Sequence, residues 1–220
     1  MKKKWLALSM ALAFAGTSSL LHAEGDSDAG KGKSAPCISC HGEQGNSMVS
    51  TFPKLAQQHA SYLTKQLHDF KAGVRKDPMM STIAMNLSDA DMEDIAAYFA
   101  EQKISVNALP VLDDEDDNAK TDEAAMQAMI AQGADLYRNG DLAREVSACI
   151  ACHGPLGEGN KPAAFPALKS QHADYLIKAL SDFKSDKRSN KPDNMMHMIA
   201  KKMTIEEIKA VSYRISMMNN

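Results

Sequence analysis

The sequence predicts an all-α chain in which one domain is written twice, and three observations carry that prediction. First, long blocks recur in the same order. FPKLAQQHASYLTKQLHDFK (Phe52 to Lys71) is matched by FPALKSQHADYLIKALSDFK (Phe165 to Lys184), and DPMM (Asp77 to Met80) by DNMM (Asp193 to Met196). LSDADMEDIAAYF (Leu87 to Phe99) is matched by MTIEEIKAVSYRI (Met203 to Ile215). Shared order at a long, nearly constant period is the mark of tandem copies. Second, apolar residues inside the blocks recur at helical spacing, and no sustained period-2 alternation predicts a strand. Third, all four cysteines fall in one motif that also occurs twice, CISCH at Cys37 to His41 and CIACH at Cys149 to His153.

Taken in chain order, Lys2 to Lys4 form a basic cluster and Trp5 to Ala15 an apolar run, followed by small and polar residues that end in Leu21-His22-Ala23 before Glu24. This is the layout of a secretory signal peptide, residues 1–23, cleaved after Ala23; an uncleaved anchor is the alternative. Its removal takes away three lysines and no acids, moving the formal charge from −3 to −6. An acidic chain lacks the basic footprint of a nucleic-acid binder. The first copy is expected at 24–105 and the second at 121–220, joined by an acidic linker at 106–120. That linker holds Pro110 and the run Asp113 to Asp117, which read as a solvated segment.

Within the first copy, Asp28 to Lys33 predicts a short helix. Leu63, Leu67 and Phe70 fall at i, i+4 and i+7 of a longer one. Ser88 with Asp91 reads as a capped N-terminus ahead of Met92, Ile95 and Phe99. In the second copy a helix is expected from about Asp122 to Tyr137, and Tyr175, Leu176, Leu180 and Phe183 repeat the apolar stripe. Thr204 with Glu207 repeats the cap ahead of Ile208, Val211 and Ile215.

The cysteines admit several chemistries. A disulfide between residues three apart closes a strained ring and leaves the histidines unexplained. A thioredoxin-type pair wants a βαβ context. Zinc suits Cys and His, but adjacent Cys40 and His41 do not readily face one tetrahedral ion together with Cys37. Covalent haem uses every residue, because C-x-x-C-H is its attachment signature. Thiols at i and i+3 of a helical turn share a side and can form two thioethers, Cys37 with Cys40 and Cys149 with Cys152. His41 and His153 then stand beneath the ring as iron ligands. Two haem c groups also account for the scarce aromatics. Hiding on the order of 500 Å² of porphyrin at roughly 25 cal/mol per Å² gives each small core about 12 kcal/mol of gross burial.

For the opposite face of each iron, the Met79-Met80 and Met195-Met196 pairs keep the same interval to the final helix. Spacing alone does not choose within a pair, and Met85 and Met198 lack counterparts in the other copy. His59 and His172 are equivalent residues on the first long helix, opposite its Leu/Phe stripe, which suggests a surface or haem-edge role with iron ligation as the lesser alternative. His68 and His197 have serines opposite them.

Taken together, C-x-x-C-H, G-x-x-G, FP-x-L, YL-x-K-x-L-x-DF, the methionine pair and the final LSD-type helix resemble the cytochrome c4 family of dihaem cytochromes, over nearly the whole chain beyond residue 23. The resemblance implies two class I cytochrome c domains, each packed around its haem, with haem edges facing across a two-fold interface. It implies His/Met ligation, by His41 with Met80 and His153 with Met196. It also implies a periplasmic electron carrier, at times peripherally associated with the membrane, working between a respiratory donor complex and a terminal oxidase. The alternatives are a dihaem peroxidase-type enzyme with one open iron, and a haem subunit of a larger redox complex. The acidic linker and the MTIEE opening depart from the family pattern.

Overall fold

The computed structural model describes residues 25–110, 123–189 and 194–219. The expected signal peptide, the run Asp113 to Asp117 and Asp193 lie outside these residues.

Ten helices occur among the described residues, five in each copy. The first copy runs α1 (Ser27–Lys33), α2 (Ala35–His41), α3 (Ala60–Lys71), α4 (Pro78–Met85) and α5 (Asp89–Glu101). The second runs α6 (Glu123–Asn139), α7 (Ile150–His153), α8 (Ala173–Lys184), α9 (Met195–Ala200) and α10 (Ile205–Ser216). Among the described residues, strand-like pairing is confined to two isolated antiparallel bridges, Asp141 with Val146 and Asn160 with Phe165. Among the described residues, no helix is long and apolar enough to cross a membrane.

Both expected caps are present and complete. Ser88 accepts from the Asp91 N–H while Asp91 accepts from that of Ser88, and Thr204 and Glu207 do the same. Each box satisfies two of the amide donors that a helix start otherwise leaves bare. Past these caps, Met92, Ile95 and Phe99 are buried on α5, and Ile208, Val211 and Ile215 on α10.

In each copy the first and last helices cross, α1 on α5 and α6 on α10. The crossing depends on a glycine. A Cβ on Gly30 would lie 1.9 Å from the Asp94 carbonyl oxygen, and one on Gly133 would lie 2.0 Å from that of Ala210. Around these crossings the cores are small. The first gathers Leu63, Ile95, Ala96, Tyr98 and Phe99, and the second is built around Tyr137, Leu176, Ile208, Val211 and Ile215.

Two expectations need correcting. His59 and His172 sit at the N-caps of α3 and α8 rather than on the helices. The near end of the linker is docked rather than loose. Asn46 bonds the Ser105 N–H and the Lys103 carbonyl. Asn107 spans the copies, accepting from Lys54 Nζ at 2.7 Å and donating to the Ser170 carbonyl at 2.9 Å and the Ser216 carbonyl at 3.0 Å. Its composition suggested solvation, but the Lys54 amine of the first copy and backbone carbonyls of the second supply its partners.

Candidate haem centres

Each C-x-x-C-H motif closes a helical turn. Cys37, Cys40 and His41 lie on α2, with Pro36 in its first turn. Cys149 caps α7 in helical conformation ahead of Cys152 and His153. Both helices stop at a glycine with positive φ, Gly42 at 80° and Gly154 at 76°. A side chain on Gly42 would also strike the Asn46 backbone, its Cβ lying 2.4 Å from that oxygen. The four thiols are free and half-buried. Burial pushes those of Cys37 and Cys149 up to about 11. Thiol–disulfide exchange runs on a lowered thiol pKa, so this environment suits an anchoring thiol better than a redox pair.

The two histidines have near-identical surroundings. His41 is 6 % exposed and His153 7 %. The His41 Nδ1–H donates to the Pro53 carbonyl at 2.8 Å, and the His153 Nδ1–H to that of Pro166 at 3.0 Å. Phe52 and Phe165 each lie 6.4 Å from their histidine, ring centre to ring centre. A carbonyl only accepts, so Nδ1 carries the proton and Nε2 holds the lone pair. Burial, opposed by the carbonyl bond, lowers both imidazole pKa values and favours this neutral form. Two thiols beside a buried imidazole with its lone pair fixed on Nε2 form a donor set that fits haem c.

The methionine pairs lie on α4 and α9. Met79 and Met195 point outward, 52 % and 47 % exposed, whereas Met80 and Met196 are half-buried. The Asp77 side chain caps α4 by accepting from the Met80 N–H at 3.0 Å. Met85 and Met198 are exposed. His68 lies near Asp89, and His197 donates to the Phe183 carbonyl.

His59 and His172 are engaged between the copies. His59 Nε2 bonds the Glu158 carbonyl at 2.8 Å, and His172 Nε2 bonds that of Ser47 at 2.9 Å. Around them runs a pseudo-two-fold contact that the sequence reading did not pick out. Gln58 grips the Ala167 backbone through both its N–H and its carbonyl, each at 2.8 Å. Gln171 grips the Lys54 backbone in the same way, at 2.8 and 2.9 Å. Arg75 reaches the Tyr175 hydroxyl at 3.2 Å, and Arg188 reaches that of Tyr62 at 3.0 Å. Burial pushes the Tyr175 phenol up, but the two guanidinium groups outweigh it and hold the pKa below its ordinary value. Each arginine also stacks on a phenylalanine of its own copy, Phe70 or Phe183. The missed signal was in the repeat itself. Gln58 and Gln171, Tyr62 and Tyr175, and Arg75 and Arg188 are all kept in both copies, and none has its place fixed by the cysteine motif.

The cytochrome c family model matches twice, at residues 27–103 and 130–215. Fold and site therefore define a tandem pair of cytochrome c domains, each carrying covalently bound haem c. Cytochrome c4 of Azotobacter vinelandii is 44 % identical over 207 residues, covering 90 % of this chain and 91 % of that protein. The crystal structure of cytochrome c4 from Pseudomonas stutzeri superposes with a TM-score of 0.78 at 41 % identity, covering 89 % of this chain and all of that one. A thiosulfate dehydrogenase electron acceptor of Stutzerimonas stutzeri is 37 % identical, covering 80 % of this chain and 76 % of that protein. The chain belongs to the cytochrome c4 family of dihaem electron-transfer cytochromes.

Proposed function

We propose that this protein is a periplasmic electron carrier, not an enzyme, passing single electrons between respiratory components and on towards a terminal oxidase. The observation that carries this reading is repetition: a buried histidine beside two half-buried thiols, with a half-buried methionine later in the same domain, recurs in each of two clasped domains. When bound, each haem supplies a one-electron iron centre. Cys37 with Cys40, and Cys149 with Cys152, would anchor the ring through two thioethers each. His41 and His153 present Nε2, with Nδ1 held by a proline carbonyl so that the imidazole plane cannot turn. Met80 and Met196 would supply the second iron ligand in each domain, and thioether ligation would raise the potential and leave no position for oxygen or peroxide. The folds take 24–105 and 121–220, with 106–120 joining them and 1–23 directing export.

Spectra of the purified holoprotein test this reading. Two haems per chain, both low-spin and indifferent to carbon monoxide when reduced, are expected. Met80→Ala and Met196→Ala should each open one haem to carbon monoxide. A wild-type haem that binds it would instead indicate the peroxidase-type alternative. Purification only as part of a larger complex would indicate the bound-subunit alternative. A second reading, a carrier serving a thiosulfate-oxidising enzyme, is favoured by the similarity to the Stutzerimonas stutzeri acceptor. Rapid reduction by such an enzyme would support it.

A further inference from the structure

Each histidine is linked to the opposite domain through a single peptide group. The Pro53 carbonyl that accepts from His41 Nδ1 shares its amide with the Lys54 N–H, and that N–H donates to Gln171 Oε1 at 2.8 Å. The Pro166 carbonyl that accepts from His153 Nδ1 shares its amide with the Ala167 N–H, which donates to Gln58 Oε1 at 2.8 Å. Both glutamines are buried, 7 % and 5 % exposed. Each is fixed from three sides. The Oε1 atoms also accept from the next residue's N–H, that of His59 or His172, at 3.0 Å. The Nε2 atoms donate to the Ala167 and Lys54 carbonyls.

We propose that Gln58 and Gln171 are crossed positioning residues: Gln171 sets the electron affinity of the first domain's haem through the Pro53–Lys54 peptide, and Gln58 sets that of the second domain's haem through the Pro166–Ala167 peptide. This rests on His41 and His153 being the iron ligands. The physical basis is amide resonance. Donation at the N–H shifts electron density to the carbonyl oxygen, which then accepts more strongly from Nδ1–H. The bonds of such a chain strengthen one another by about 10–30 % each, more in a low-dielectric interior than in water. A tighter Nδ1–H bond gives the imidazole more basicity at Nε2, and a more basic ligand stabilises oxidised iron. Neither effect requires the domains to move.

The test is a redox titration of the holoprotein in which the hyperfine-shifted haem methyl resonances separate the two haems. Gln171→Leu removes the acceptor and should raise the potential of the first haem while leaving the second unchanged. Gln58→Leu should do the reverse. Gln171→Glu, a stronger acceptor at the same position, should move the first haem the opposite way and serves if the leucine variant folds poorly. General loosening of the interface would expose both haems together and could not produce the crossed pattern with opposite signs. Shifts confined to the mutated residue's own domain, equal shifts at both haems, or none would overturn the proposal. His41→Ala in the same series tests the underlying ligation. If the first haem stays low-spin, the ligand reading fails. If its low-spin spectrum is lost while Gln171 variants leave the haem unshifted, only the crossed relay fails.

Discussion

Gly30 and Gly32 lie two residues apart on α1, and alanine at each should change stability in opposite directions. A Cβ on Gly30 would sit 1.9 Å from the Asp94 carbonyl oxygen, 2.5 Å from its carbon and 3.0 Å from the Ile95 nitrogen. Relieving this to an ordinary contact of about 3.4 Å means moving α1 off α5 by roughly 1.5 Å, and overpacking of this kind typically costs 1–3 kcal/mol. The obstructing atoms are backbone, so the upper end, about 3 kcal/mol, is expected. For a domain of this size that lowers Tm by roughly 12–24 °C. Nothing lies within 4 Å of a Cβ on Gly32, so the gain there is the helix propensity of alanine over glycine, about 0.5–1 kcal/mol. The assay is thermal unfolding of the holoprotein, followed by helical circular dichroism together with the haem band of each domain. Because α1 leads directly into α2, the first haem band should move with the helical signal in Gly30→Ala while the second holds. A Gly30→Ala variant within 0.5 kcal/mol of wild type, or one destabilised in the second domain, would refute the reasoning.

Cys37→Ser combined with Cys40→Ser should leave one covalent haem per chain and an expanded first domain, read by haem staining and by hydrogen exchange over α3 and α5; a compact, exchange-protected domain would contradict a core completed by porphyrin. The buried Lys54 amine has its pKa lowered from 10.5 to about 8 by desolvation. The folded state therefore releases that proton first, and stability relative to Lys54→Met should rise between about pH 8 and 10.5. The full effect is up to about 3 kcal/mol, reduced because Ser105 and Asn107 accept from the charged amine; denaturant melts at pH 7 and 10 measure it. Arg75→Lys should lose the planar contact with Phe70 and the reach to Tyr175, raising the Tyr175 phenol pKa, as ultraviolet titration of the tyrosines would record.

Local features were legible in the sequence because their causes are local. The capping boxes at Ser88 and Thr204, the apolar faces of α5 and α10 and the turn carrying Cys37, Cys40 and His41 each follow from residues within a few positions of one another. The helix expected from Asp122 to Tyr137 is described from Glu123 and extends two residues further, to Asn139. What could not be read was anything decided between the copies. Gln58 meets Ala167, and Gln171 meets Lys54, more than a hundred positions away. No periodicity reports such a meeting. The linker misled for a similar reason: the carbonyls that accept from the Asn107 amide lie at Ser170, Gln171 and Ser216 in the other copy. Within each methionine pair, which spacing left undecided, the two members differ in exposure according to which side of α4 or α9 faces inward.

The pseudo-two-fold clasp has a consequence for how the chain is assembled. Contacts in which one copy's glutamine grips the other's backbone, and the reverse, are self-complementary, the arrangement that isologous dimers use. Two separate domains bearing these surfaces would meet only as their concentration allowed. Tethering turns that encounter into an intramolecular one, at an effective concentration in the millimolar range for a short linker. Dilution then leaves the two haem domains paired.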